Sequence, residues 1–381
     1  MSTDHFFPAD SFGLRIIERR VFVSKDAISA EKLLLLAKLL TLFPAIRHPL
    51  YREAGAKMSF SVMDYADGYL FTGRLIQSEC SGLSYLFRDP YAEGIKALDE
   101  TFAQGFRDNE QLFASAKDAL LSEGLRDRRE AKLSLESSLG FYGSHPQANL
   151  TLLPELSMLD ERQTLKLIQE SRKGNYLFFG KKPKKNPFLR LVPYPEEATL
   201  LPQSQAQSSL MLTSREFADE ALAYLFSAPA IQKTEDQVAL ETSLRALSLC
   251  VERYYLEKFA LTVKTSFRIV AKDKVLFTLA FEPNRLSLLG GRLPFPLNTA
   301  LPFSIEDNLK EALEEEELFR LALESDPLLA LARYESALDL SLPTDSFFSF
   351  PSADLSAVKR LYSSLVPLSV TSAQEEKENL L

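Results

Sequence analysis

The chain has 381 residues, 46% of them hydrophobic and 25% charged, with a net charge of −8. This is the composition of an ordinary globular protein long enough for two domains. The acid excess argues against a general nucleic-acid binder, which needs a basic surface to displace counterions. Two cysteines, Cys80 and Cys250, stand far apart and outside any C-x-x-C pattern. They predict neither a disulfide framework nor a cysteine zinc site and read as small buried hydrophobes.

The opening MSTDHFFPADSFGLRIIERR lacks the basic start and apolar core of a signal peptide, so a cytoplasmic protein is expected. GLRIIERRVFVSK, Gly13 to Lys25, suits one or two strands. AEKLLLLAKLLTLFPAI, Ala30 to Ile46, is the most apolar helical run. It is broken by Lys32, Lys38 and Pro44, too short and charged for a membrane span, and reads as a core helix with Ser29 as its cap. AKMSFSVMDYADGYLFTGRLI, Ala56 to Ile76, alternates on both sides of Asp67-Gly68, a hairpin signal because Asp-Gly accepts the positive φ of a tight turn.

Helices are expected over Tyr91 to Phe106, Asn109 to Leu139 and Leu159 to Arg172, the last closed by Gly174. NYLFFG is the strand that ends this half. Lys181 to Ser209, with its prolines, lysine cluster and polar tail, reads as a linker. Beyond it the order recurs. SSLMLTS is a strand, Asp236 to Phe259 a long helix, and ALTVKTSFRIVAKDKVLFTLAFEP a strand pair turning near Lys272-Asp273. SIEDNLKEALEEEELFRLAL, DPLLALARYESAL and SADLSAVKRLYSSL are helices, and VPLSVTS is a final strand.

The repetition predicts an α+β fold of two related domains, each a mainly antiparallel sheet with helices packed on one side. The domains span residues 1–182 and 209–372, with a linker at 183–208 and a mobile tail at 373–381.

This order, the length of each half and the linker resemble the insulinase/pitrilysin family of zinc peptidases, which build two related halves around a peptide. Arg52 to Leu75, REAGAKMSFSVMDYADGYLFTGRL, resembles the family segment in which a helix ends at alanine-glycine before a hairpin. FYGSHP, Phe141 to Pro146, resembles its "lyg-x-HP" turn, which implies that His145 is a structural turn residue.

The resemblance implies an H-x-x-E-H motif on the first long helix, where paired histidines on one face share a zinc and the glutamate activates water. The helix here has no histidine, and its one glutamate, Glu31, stands at its start. His5 and His48 have no ligand spacing. No catalytic, metal or cofactor-binding residue is therefore expected, and no cofactor. The resemblance also implies an arginine and a tyrosine, seven apart, holding the substrate near the second half's helix-to-strand turn. YLEKFALTV, Tyr255 to Val263, keeps Glu257 and Lys258 but has Leu256 and Val263 at those places.

Other constellations are structural. Gly174 and Gly180 in GNYLFFGKK are separated by five residues rather than the four of a phosphate loop, and the run between them is an apolar strand. The lysines of Lys181 to Lys185 read as a solvated linker. Glu311 to Phe319, EALEEEELF, lacks the spacing of a calcium loop and reads as an exposed helix face. Asp64 and Asp67 serve a turn, as do the glycines of LLGGRLP, Leu288 to Pro294.

The expected role is thus a non-catalytic subunit that pairs with a zinc-bearing peptidase homologue, or with itself, to complete a peptide-binding chamber. Nucleic acid and membrane are not expected partners. The alternatives are a binding, scaffold or maturation factor with no peptidase partner, and an enzyme whose site the sequence does not reveal.

Overall fold

A computed structural model of the protein describes residues 6–8, 14–24, 30–42, 57–64, 68–78, 110–127, 175–180, 209–214, 217–286, 294–326 and 351–375. It also describes Leu98, Arg129, Glu130, Leu329, Ala332, Arg333, Ser336, Leu340 and Leu342. The chain divides into two compact units, residues 1–125 with 142–198, and residues 126–141 with 199–381.

The described elements of the first unit are β1 (Phe6–Pro8), β2 (Leu14–Ser24), α1 (Ala30–Leu42), β3 (Lys57–Asp64), β4 (Gly68–Ser78), α2 (Glu110–Asp127) and β5 (Asn175–Gly180). The strands form one five-stranded sheet in the order β1-β5-β2-β4-β3. Only the β1–β5 pair is parallel. β2 and β4 pair from Leu14 opposite Ser78 to Ser24 opposite Gly68.

Side chains alternate across a strand, so this register sorts the faces. Ile17, Val21 and Val23 share a face with Tyr69, Phe71 and Leu75, and with Phe60 and Val62 of β3. All eight are buried. Ile16, Glu18 and Arg20 share the other face with Thr72 and Arg74.

α1 packs against β3 and β4. Its Leu33, Leu35, Leu36, Leu39 and Leu40 are each at most 2% exposed, and Leu34 and Ala37 are buried as well. A helix apolar on nearly all sides belongs in a core, and each such leucine contributes about 2 kcal/mol by leaving water. The Thr41 hydroxyl donates to Ala37 O at 2.8 Å and accepts from Phe60 N at 3.0 Å, tying the last turn to β3.

The second unit holds β6 (Ser209–Ser214), β7 (Glu220–Ser227), α3 (Thr234–Phe259), β8 (Val263–Ala271), β9 (Lys274–Phe281), a 3-10 turn (Glu306–Asn308), α4 (Leu309–Ser325), α5 (Leu355–Ser363) and β10 (Val366–Glu375). Its sheet order is β6-β10-β7-β9-β8, again with one parallel pair, β6 with β10. Strand for strand this is the first sheet repeated, with α3 in the place of α1.

One face of this sheet is aromatic. Phe295 meets Tyr224, Phe226 and Phe277 edge-on, with ring centroids 4.9 to 5.8 Å apart. Tyr255 of α3 meets Phe281 edge-on at 5.7 Å, which places the helix on this face. The opposite face carries small side chains, Ala221, Ala223 and Ala373, packed with Leu276.

Three expectations are corrected. The second half has a strand, β7, between Ser214 and Asp236, where the sequence pattern predicts none. Its seven consecutive buried residues show no alternation, because the strand is central in its sheet and covered on both faces. The helix expected over Asn109 to Leu139 ends at Asp127, and the Arg129 carbonyl accepts instead from Ala218 N at 2.8 Å. The tail expected from residue 373 begins as strand, because β10 continues through Glu375 against β6, and Ala373 is fully buried. The linker at 183–208, the helices expected over Tyr91 to Phe106 and Leu159 to Arg172, Ser29 and Gly174 lie outside the described residues, apart from helical Leu98.

Candidate functional site

Two places decide whether this architecture can do peptidase chemistry, and α1 is the first. It joins β2 to β3, and its side chains are leucine and alanine methyls at every turn from Leu33 to Leu40 except at Lys38. Zinc requires imidazole, thiolate or carboxylate donors around one point. These residues do not fit the ion. Among the described residues no three His, Cys, Asp or Glu side chains gather as a metal site. His5, His48 and His145 lie outside the described residues, as do Cys80, Asp67 and Lys181 to Lys185.

The second place is the turn from α3 into β8. α3 ends where Ala260 adopts the left-handed conformation, φ 51°, and its N–H closes onto Leu256 O at 3.1 Å. Leu256 is 59% exposed and Val263 only 4%. Neither carries a hydrogen-bonding side chain, and Val263 is turned into the core, so this pair has no polar group to offer a peptide backbone. Glu257 and Lys258 are exposed beside Leu256. The turn is held by Glu252, which accepts from Thr265 N at 3.0 Å and from its hydroxyl at 2.6 Å. Tyr254, Leu256 and Phe259 together leave apolar surface at the helix end.

Charge is concentrated instead on the polar face of the first sheet. Glu18 is fully buried; Arg20 Nε and Nη2 donate to its Oε2 at 3.0 and 2.8 Å. Arg74, directly opposite on β4, donates to Oε1. A carboxylate that loses its water needs such charge-assisted bonds. The signal was present in LRIIERRVFVS, where Glu18 and Arg20 sit two apart and so share a strand face. Periodicity alone makes the run a strand and does not say which of its charges are buried.

The acidic stretch of α4 also departs from expectation. Glu314, Glu315 and Glu317 are exposed, but Glu316 is 4% exposed and faces Arg245 of α3. Sequence spacing alone missed it because five acids in a row of seven residues hide which one the helix turns inward. Cys250 is buried, accepts from Asn308 Nδ2 at 2.9 Å and donates to Ser304 O at 3.2 Å. Burial pushes its thiol up in pKa, against the opposing effects of Asn308 and Arg253, which keeps it a poor nucleophile. Asp64 closes β3 opposite Tyr69. Among the described residues no helix is long and apolar enough to cross a membrane.

No family model matches the chain, and no curated protein matches it by sequence. Solved structures do match. A protease from Helicobacter pylori is 13% identical with a TM-score of 0.60, covering 99% of both chains. An inactive peptidase M16 domain from Pseudomonas fluorescens is 15% identical with a TM-score of 0.56, covering 99% of this chain and 98% of the other. A chain of complex III2 from Candida albicans is 10% identical with a TM-score of 0.57, covering 100% and 94%. The protein has the fold of the M16 peptidases, the insulinase/pitrilysin type, along essentially its whole length. Proteins sharing that fold include both a protease and an inactive domain.

Proposed function

We propose that this protein is a non-catalytic member of the M16 fold that pairs with a zinc-bearing homologue and supplies the other wall of its peptide chamber. The observation that carries the reading is α1, which joins β2 to β3 in the first sheet and packs leucines where an active member needs metal ligands. The apolar pair Leu256 and Val263 supports it, since the residues that would hold substrate are replaced together. The inactive domain and the complex III2 chain show that the fold occurs both without activity and inside a larger assembly. In this reading the halves are residues 1–182 and 209–375, joined by 183–208, and the protein works in the cytoplasm. It contributes shape and charge to the chamber and no bond-breaking step.

Affinity purification from the native cell, followed by mass spectrometry and a peptide-cleavage assay, tests this. The expected result is recovery of a homologue that carries H-x-x-E-H, with cleavage by the pair and none by this chain alone. Zinc-dependent cleavage by the isolated chain would overturn it. Recovery of unrelated proteins alone favours the scaffold reading.

A further inference from the structure

α4 packs against α3, and at their contact four polar side chains are nine-tenths buried with an atom that makes no hydrogen bond among the described residues. They are Glu316 Oε2, Arg333 Nη2, Thr234 Oγ1 and Gln237 Oε1. Glu316, Thr234 and Arg333 line one small cavity, which Val238 and Leu323 make partly apolar. Its free space is about 10 Å³, the size that holds one water. Glu316 and Arg320 also border a wider cleft of about 210 Å³, together with Ser352 and Ala353. Glu316 is thus buried and lines both spaces.

The charges around Glu316 do not satisfy it as an anion. Arg333 is committed to Glu241 in an ion pair. Glu241 also accepts from Gln237 Nε2 at 3.0 Å. Arg245 Nε lies 3.4 Å from Glu316 Oε2, out of line for a hydrogen bond, and Arg245 is shared with Glu315 at 3.9 Å. On α4 itself, Arg320 is held by Glu317 and Glu324 at 2.6 Å each. Pro351, Ser352 and Ala353, the remaining wall, bring no charge. A second carboxylate, Glu241, thus stands near Glu316 with both cationic partners divided.

We propose that Glu316 and the polar cavity around it form a proton-operated latch. With the proton bound, the neutral carboxyl lets α4 seat on α3 beside the Arg333–Glu241 pair; with it released, the buried anion loosens that seat. Burial, then the charge of Glu241, push the Glu316 carboxyl up to about 7 from the ordinary 4.5, against the pull of Arg333 and Arg245. The sign follows from linkage. Between pH 4.5 and about 7 the folded state holds a proton that the opened chain releases, so stability falls as pH rises through that window.

The test compares wild type with Glu316→Gln, a neutral isostere, and with the exposed control Glu314→Gln. Melting temperatures of wild type and Glu316→Gln should converge near pH 4.5 and diverge toward about pH 8, the variant melting higher, while the control runs parallel to wild type. Hydrogen exchange on the wild-type protein gives an independent reading should the variant fail to fold. Corrected for intrinsic rates, opening of α4 should increase by about tenfold or more between about pH 5 and pH 8, with no change in β9. Parallel melting curves, or an α4 opening independent of pH, overturn the latch.

Discussion

Glu18 has no water to solvate it and depends on the arginines bonded to its two oxygens, Arg20 and Arg74. Removing one member of a buried ion group leaves the others uncompensated, which costs more than the pair itself contributes. Glu18→Ala is expected to lose about 3 to 5 kcal/mol in urea unfolding, because two guanidinium groups then face each other across β2 and β4. Arg74→Ala should lose less, since that side chain is 26% exposed and water replaces part of its bonding. Equal losses at the two positions would show that Glu18 is not the centre of the group.

At the scale of elements, the same type of helix is built in different ways. α1 stands on apolar burial, and Leu39→Ala is expected to cost about 3 kcal/mol through lost transfer energy and the cavity left behind. A loss under about 1 kcal/mol would mean that α1 is not packed as the core of its unit. α5 instead begins with a cap. Asp354 accepts from Ser356 N at 3.3 Å and Ala357 N at 3.2 Å, satisfying N–H groups that have no partner within the helix. Bonds from the Ser356 hydroxyl and these two amides hold its carboxyl below the ordinary 3.8. A depressed carboxyl contributes stability above its ordinary value that is lost as pH falls through the lowered one. Asp354→Ala should therefore melt lower than wild type near neutral pH, with the two curves meeting in acid below pH 3.8. A gap that persists there would assign the effect to packing.

For the whole molecule, two sheets of identical strand order and a single parallel pair each describe one unit used twice. The stretch between them in sequence opens with four lysines and two prolines in KKPKKNP, Lys181 to Pro187, chemistry suited to a connection and a poor core. Limited trypsin digestion is expected to cut first at Lys181 to Lys185 and to leave two fragments of similar mass on denaturing gels. First cuts within β2 to β4 would contradict the division, because those strands are bonded along their length.

The sequence by itself determined most of the elements and the absence of metal ligands on α1. The alternation around Asp67-Gly68, the leucine run after Ala30 and the turn at Lys272-Asp273 are local signals, legible because a hairpin or an apolar helix is encoded within a dozen residues. β1 and β7 needed the tertiary structure. Phe6 to Pro8 becomes a strand only by lying parallel to β5 more than a hundred and seventy residues away, and β7 earns no alternating pattern because its place between β10 and β9 buries both faces. The inward turn of Glu316 and the gathering of Arg20 and Arg74 on Glu18 were likewise decided by packing, since a charge is read as solvated until another element removes its water. Local pattern fixes what each segment can be; desolvation by distant neighbours fixes which of its charges carry chemistry.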